Sequence, residues 1–242
     1  MAESNRHRDS DLLAKRAAQV QRGGARAAVL GINDGLVSVL CIVLGVAGAK
    51  ASASAVLLAG FAGLIAGAIS MAAGEWISVT SQVELFTGVL KDIKKMVKSD
   101  RELLIDQLQE DFAKSGLSKK TAHTVAGEIA RDDGHLFNEY VTNVIEINPE
   151  ELGSPWTAAI SSFFLFVLGA LAALIPWFFM QGEVAICTSI VLTALGGLIV
   201  GGYVARSSGN NIYHGAIRQL LIIILASVVT YGVGSIFGTV VH

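Results

Sequence analysis

The sequence predicts an all-α membrane protein with five transmembrane helices and a three-helix cytosolic domain between helices 2 and 3. The first supporting observation is composition. Of the 242 residues, 52% are hydrophobic and only 16% are charged, and the mean hydropathy is +0.58. This balance is too apolar for a soluble domain of this length and is typical of a chain that crosses a bilayer several times. The other two observations are a series of long apolar runs and an uneven distribution of Lys and Arg between them.

Five apolar runs are long enough to cross a bilayer core, which takes about 20 residues. We place the five helices at 27–49, at 53–82, within 152–182, at 184–205 and at 219–241. Pro176 is expected to kink or end the third helix, because proline lacks a backbone N–H and clashes with the preceding turn. Glycine pairs with a spacing of four recur in the runs, and we interpret most of them as packing contacts within the chain, with a homodimer seam as the alternative. These pairs are Gly63 and Gly67, Gly197 and Gly201, and Gly234 and Gly238.

The Lys and Arg residues predict the orientation, because they concentrate in cytosolic connections. Seventeen of the 18 fall on one side of the predicted membrane, and only Lys50 falls on the other. The N-terminus is therefore expected in the cytosol and the C-terminus on the far side. The first 26 residues are polar and show no cleavable signal peptide, and we expect an amphipathic helix from about Asp11. The predicted division is a cytosolic segment at 1–26, helices 1 and 2 at 27–83, a helical cytosolic domain at 84–151, and helices 3 to 5 at 152–242.

The block 84–151 is a domain rather than a loop, because it holds 14 of the 20 acidic residues and has helix start and stop signals. Helix 2 is predicted to continue to about Lys98. A second helix covers Arg101–Lys114, and a third runs from Ser118 as N-cap to about Ile147. A bend at Gly134 is compatible with this pattern.

Asp34 is the only ionisable side chain in the first apolar run. A carboxylate inside a membrane helix is costly and is by default a functional hypothesis. Glu75 lies at a similar predicted depth on the second helix, with Met71 one turn deeper on the same face. Ser38 and Cys41 share the face of Asp34. Carboxylates with a thioether suit a borderline divalent transition metal better than Mg²⁺ or Ca²⁺, which prefer all-oxygen shells.

Structural interpretations of these residues remain open. The carboxylates could form hydrogen bonds with the backbone or with Asn33, and Met71 and Cys41 could simply pack. The two cysteines of the chain, Cys41 and Cys187, both lie in apolar runs and form no disulfide framework or metal motif.

Two segments stand out together: NDGLVS at residues 33–38 and SMAAGEWISVTSQ at residues 70–82. The combination resembles the vacuolar iron transporter family. The match is close over the first two helices, and the other helices match in number and placement, including SPWTAA at 154–159. The resemblance implies a homodimer of five-helix protomers that exports Fe²⁺ and similar metals from the cytosol in exchange for protons. It also implies that Asp34 and Met71 line the pathway and that Glu75 is the acid of the second-helix motif.

The cytosolic domain departs from the family's pattern. The resemblance implies metal-binding glutamates on three helices and a methionine pair on the third, but here the first of these helices is rich in lysine, and Thr142 and Asn143 stand where the methionines are expected. The remaining candidate metal ligands are Glu102, Asp106, Glu110 and Glu146. A solvated helix face is an equally good interpretation of these four, and we expect fewer or weaker metal sites than the family pattern suggests.

The function predicted from the sequence is export of Fe²⁺ or Mn²⁺ by proton antiport, along a path formed by Asp34, Met71, Glu75, Ser38 and Asn33. The alternative is a dimeric membrane protein with a vestigial pore and a cytosolic domain that senses or docks a partner. An enzyme is not expected, because the membrane runs contain none of the HExxH, GxSxG or Ser/Lys arrangements of catalytic sites. The expected partners are metal ions, protons, the bilayer and a second copy of the chain; no nucleic acid and no resident cofactor are expected. A bacterial inner membrane is the simplest location.

Overall fold

The computed structural model describes residues 23–145 and 153–240, with side chains from residue 27 onward. Within these residues the regular structure is helical and no strand occurs. The elements are α1 (Gly23–Gly48), α2 (Ala53–Ser99), α3 (Arg101–Lys114), α4 (Lys119–Ile129), α5 (Asp133–Glu139), a π-helical segment (Tyr140–Val144), α6 (Pro155–Leu174), α7 (Pro176–Phe179), α8 (Gly182–Ser207) and α9 (Ile212–Val240).

The protein is an all-α membrane protein, as the sequence predicted. Among the described residues, five helices are long and apolar enough to cross a membrane: α1, α2, α6, α8 and α9. Pro176 ends the third of them as expected, because α6 stops at Leu174 and the short helix α7 begins at the proline. The last helix begins at Ile212, seven residues earlier than predicted. The helix expected from Asp11 falls on residues that are not described.

The chain divides into two compact units, Met1–Val79 with Gly153–His242, and Thr80–Leu152. We call them unit 1 and unit 2. The division falls within α2, which contributes residues to both. The block predicted as a separate domain, 84–151, falls inside the bounds of unit 2.

Glycine contacts hold α1 against α6 and α9 in unit 1. A methyl group on Gly31 would lie 2.6 Å from the carbonyl oxygen of Ser162, and one on Gly48 would lie 2.6 Å from that of Tyr231. Successive residues of α1 meet successive residues of both neighbours, so α1, α6 and α9 run in the same direction. The predicted glycine pairs all lie at contacts within the chain, which confirms the packing interpretation. Their neighbours are Ile42 (Gly63), Phe166 (Gly67), Ile223 (Gly197), Gly215 (Gly201), Gly45 (Gly234) and Ala49 (Gly238).

Unit 2 has its own apolar core, formed by the end of α2 and by α3 to α5. Leu104, Leu108 and Leu136 are fully buried in it. Ser118 caps α4 as predicted, since its hydroxyl accepts the backbone N–H of Thr121 at 3.2 Å.

The third helix predicted in this unit, 118–147, is wrong as one continuous element. It breaks after Ile129, and α5 starts again at Asp133. The side chain of Asp132 accepts the backbone N–H of His135 at 2.8 Å, and this hydrogen bond holds the pKa of the Asp132 carboxyl below its ordinary value. The break therefore falls at an aspartate that caps a new helix rather than at Gly134.

Candidate functional site

One face of α1 is exposed on the surface of the chain. Leu30, Asp34 and Ser38 lie one turn apart on it, and all three side chains are exposed. We call them the α1 stripe. Cys41, three residues beyond Ser38, is half-buried. Gly31 and Gly35 lie on the neighbouring face and pack against the backbone of α6, so α6 fixes the rotation that turns Asp34 outward.

Asn33 points away from the α1 stripe, toward α9. Its side-chain oxygen accepts a hydrogen bond from the amide of Gln219, a residue that is 91% buried. This bond joins two parallel helices at the level of Asp34. Because a buried amide without a partner is costly, the Gln219–Asn33 bond stabilises the position of the α1 segment that carries Asp34.

Glu75 is buried, with only 8% of its surface exposed. Its Oε2 atom has no hydrogen-bond partner among the described residues. Met71, one turn away on α2, is half-buried and packs against the apolar core of unit 1. A buried carboxylate oxygen without a partner is rare in folded proteins, and a proton or a cation would satisfy it.

The contacts between α1 and α2 set the relative depth of these residues. Gly63 of α2 packs against Ile42 of α1, and Gly60 packs against Val43. Extending this antiparallel register places the Cα atom of Asp34 level with Met71, with Glu75 about one turn closer to the start of α1. This extrapolated register predicts an offset of about one turn between Asp34 and Glu75, whereas the sequence predicted one backbone depth for both. Side chains tilt toward the N-terminus of their helix, so the two carboxyl groups lean toward a common level from opposite sides.

In unit 2, Glu102, Asp106 and Glu110 lie on one exposed face of α3. We call these three residues the acidic stripe. Among the described residues, no group of three or more His, Cys, Asp or Glu side chains lies close enough to hold a metal ion. Asn143, at a position where the family resemblance implies methionine, donates its amide to the carboxylate of Glu139 at 2.8 Å. Glu146 lies outside the described residues.

These features define a class: a multi-pass helical membrane protein with a carboxylate exposed at mid-helix and a second, buried carboxylate on the following helix. Comparison with known proteins is more specific, because the VIT family model matches residues 25–235. The chain therefore belongs to the VIT family.

The relatives of the chain cover most of its length. It is 31% identical over 223 residues to vacuolar iron transporter homolog 2 of Oryza sativa subsp. japonica, covering 90% of this chain and 92% of the relative. It is 32% identical to vacuolar iron transporter homolog 2.1 of Arabidopsis thaliana, covering 71% and 74% of the two chains. It is 27% identical to vacuolar iron transporter 1 of Tulipa gesneriana, covering 85% and 84%. These names describe transporters, in agreement with the prediction that the chain is not an enzyme.

Sequence reasoning missed Gln219. The last apolar run was predicted to begin at Gln219. A polar residue at that position usually marks a helix end near the lipid head groups. In the structure α9 begins seven residues earlier, so Gln219 lies two turns inside the helix. The signal available in the sequence was a glutamine that directly precedes a long apolar run.

Proposed function

We propose that the chain moves Fe²⁺ or Mn²⁺ out of the cytosol in exchange for protons, along a path lined by Asp34, Met71 and Glu75. Ser38 extends the path along α1. Asn33 orients this segment of α1 through its hydrogen bond with Gln219. The observation that carries the proposal is the exposure of Asp34 midway along an apolar helix. Facing lipid, a carboxylate costs about 2.5–3.5 kcal/mol on insertion scales, so its retention there indicates use.

Two carboxyl groups that lean toward one level provide the coupling. A divalent cation between them favours both charged forms, so metal binding must displace whatever protons they carry. Metal and protons then compete for one site, which is the minimum requirement for antiport. The Oε2 atom of Glu75, which has no hydrogen-bond partner within the described ranges, is available for either occupant.

The ligand types favour transition metals. Met71 supplies a thioether beside two carboxylates, and a soft sulfur ligand is of little use to Mg²⁺ or Ca²⁺. The same set of ligands suits Fe²⁺. It also suits Mn²⁺, which would depend more on the carboxylate oxygens than on the thioether.

A second copy of the chain is the proposed cover of the α1 stripe. Pairing two stripes across a two-fold axis removes Asp34 from lipid and places two copies of the ligand set around one pathway. Ser38→Cys, in a background with both native cysteines replaced by alanine, should cross-link the dimer under oxidation. Cysteine at Val228, which is 67% exposed on α9, should not. Cross-linking at 228 but not at 38 would place the seam elsewhere.

The test of transport uses the whole protein in liposomes, with a pH-sensitive dye inside and Fe²⁺ or Mn²⁺ added outside. Asp34→Asn keeps the size of the side chain and removes its charge and titration, so it should abolish metal-driven proton flux. Asp92→Asn is the matched control, because Asp92 is an exposed acid in unit 2 that pairs with Lys95 at 2.9 Å. Wild-type flux with unchanged pH dependence in Asp34→Asn would make the carboxylates structural.

The alternative is a vestigial pore with a sensing or docking unit 2. The observation that favours it is the acidic stripe, which is exposed and belongs to no metal-binding group among the described residues. In that case liposomes that contain the wild-type protein would show no metal-driven proton flux.

The orientation stays as the Lys and Arg distribution predicts, with the N-terminus and unit 2 in the cytosol. Ser115 lies in an exposed turn of unit 2. A cysteine at this position should not react with a membrane-impermeant label applied to the side opposite the cytosol. Rapid labelling would show that the topology is the opposite of the one proposed. The plant relatives named after the vacuole give no support to a bacterial inner membrane, so the proposal is limited to export from the cytosol.

A further inference from the structure

A cavity of about 640 Å³ lies between the end of α8 and the start of α9. One wall is apolar and includes Val204 and Ala205. The other wall is polar and carries Asn210, Asn211, His214 and Arg218. None of the residues proposed for the metal pathway lines it.

The polar wall is suited to an anion. Arg218 is permanently charged and presents N–H donors in a fork that matches phosphate oxygens. The side-chain oxygen of Asn211 accepts the backbone N–H of Tyr213 at 2.9 Å, so its amide N–H groups are left to donate. Within the described part of the chain, no carboxylate lines the cavity and none forms an ion pair with Arg218.

The position of the cavity indicates where the anion comes from. It lies where two long apolar helices meet their connection, at the same end of unit 1 as the start of α1, because α1 and α9 run in the same direction. Tyr203 and Tyr213, on either side of the connection, are 67% and 78% exposed, as expected of tyrosines at the level of lipid head groups. The apolar wall beside the donors would accept the glycerol and upper acyl carbons of an amphiphile.

We propose that this cavity binds the phosphate group of an anionic phospholipid from the leaflet on the side of the α1 N-terminus. Arg218 pairs with the phosphate, and the amide of Asn211 and the ring of His214 complete its hydrogen bonds. Basic cavities between transmembrane helices on the cytosolic side are recurrent head-group sites.

The experiment is native mass spectrometry of the whole protein, released from micelles that contain phosphatidylglycerol or phosphatidylcholine. The wild type should retain phosphatidylglycerol and lose phosphatidylcholine. Arg218→Gln should reduce retention about tenfold, as expected for loss of a charge-assisted contact. Arg206→Gln is the matched control, because it removes the same charge at the end of α8, near the same connection, and Arg206 does not line the cavity. This variant should behave like the wild type.

Several outcomes would overturn the proposal. Equal losses in the two arginine variants would mean general attraction to a basic surface, and no loss in either would mean no site. Retention of soluble glycerol 1-phosphate, without retention of phosphatidylglycerol, would identify a soluble phosphate ligand instead of a lipid. If Arg218→Gln fails to fold, His214→Gln, which removes a donor from the same wall, takes its place and should also lower retention. Transport is not part of the readout, so the result is independent of the proposed function.

Discussion

Replacing Gly31 with alanine should disrupt the contact that orients Asp34. The added methyl group would lie 2.6 Å from the carbonyl oxygen and 3.1 Å from the Cα atom of Ser162. Ordinary van der Waals contact begins at 3.4 Å, so α1 and α6 must separate locally by about 0.8 Å. Both atoms on α6 are backbone, and therefore no side-chain rotation can relieve the clash.

Overpacking of this kind costs about 1–3 kcal/mol. The alanine recovers about 0.5–1 kcal/mol through its better helix propensity. Gly232→Ala on α9 is the matched control, because a methyl group there meets nothing within 4 Å. Both variants gain the same propensity term, so the difference between them isolates the clash.

The assay is thermal unfolding of the purified protein in one detergent, with the three proteins run side by side. At roughly 2–4 °C per kcal/mol for a chain of this size, Gly31→Ala should melt about 2–12 °C below Gly232→Ala. Metal-driven flux should fall in Gly31→Ala as well, because the displaced segment of α1 carries Asp34. A melting temperature for Gly31→Ala equal to or above that of Gly232→Ala would refute the backbone contact.

The other predictions concern the pathway and unit 2. Gln219→Leu leaves the oxygen of Asn33 without its partner and should cost about 1–3 kcal/mol of stability, measured by thermal unfolding, whereas an unchanged melting temperature would mean that the bond does not form. Met71→Leu should keep the proton coupling but reduce the preference for Fe²⁺ over Mg²⁺ in liposome competition assays, and unchanged selectivity would remove the thioether from the site. Neutralising the whole acidic stripe with amides should leave calorimetric Fe²⁺ and Mn²⁺ binding by the full chain nearly unchanged, and a large loss would show that unit 2 holds a metal after all.

The helices of unit 1 were predictable because their signal is simple. An uncharged run of about 20 residues has few alternatives to a membrane helix, and Pro176 marks a break that its chemistry requires. The break in unit 2 was harder, because the periodic pattern of a helix continues through 118–147 while Asp132 offers a competing cap. The local hydrogen bond to His135 prevailed over that pattern.

The rotation of each membrane helix could not be predicted. In a run that is apolar on all sides, periodicity does not reveal which face meets a neighbour, so the sequence placed Asp34 and Glu75 in one column. Their different environments, one exposed and one buried, follow from glycine contacts with α6 and from the packing of α2. The bond between Asn33 and Gln219 joins residues 186 positions apart and leaves no local trace in the sequence.

The two walls of the proposed pathway differ in how they are held. The glycines of α1 pack against backbone atoms of α6 and α9. A backbone atom cannot move aside unless its helix moves as well. Three glycines of α2 instead meet side chains: Gly60 meets Leu174, Gly63 meets Ile42 and Gly67 meets the ring of Phe166. The end of a side chain yields to a neighbour more easily than a backbone atom does, so we expect α2 to shift against its neighbours at lower cost than α1. Asp34 therefore belongs to the rigid wall, whereas Met71 and Glu75 belong to the wall that can move. Passage of a metal ion requires its ligands to separate at some stage, and in this fold we expect the separation to come from α2.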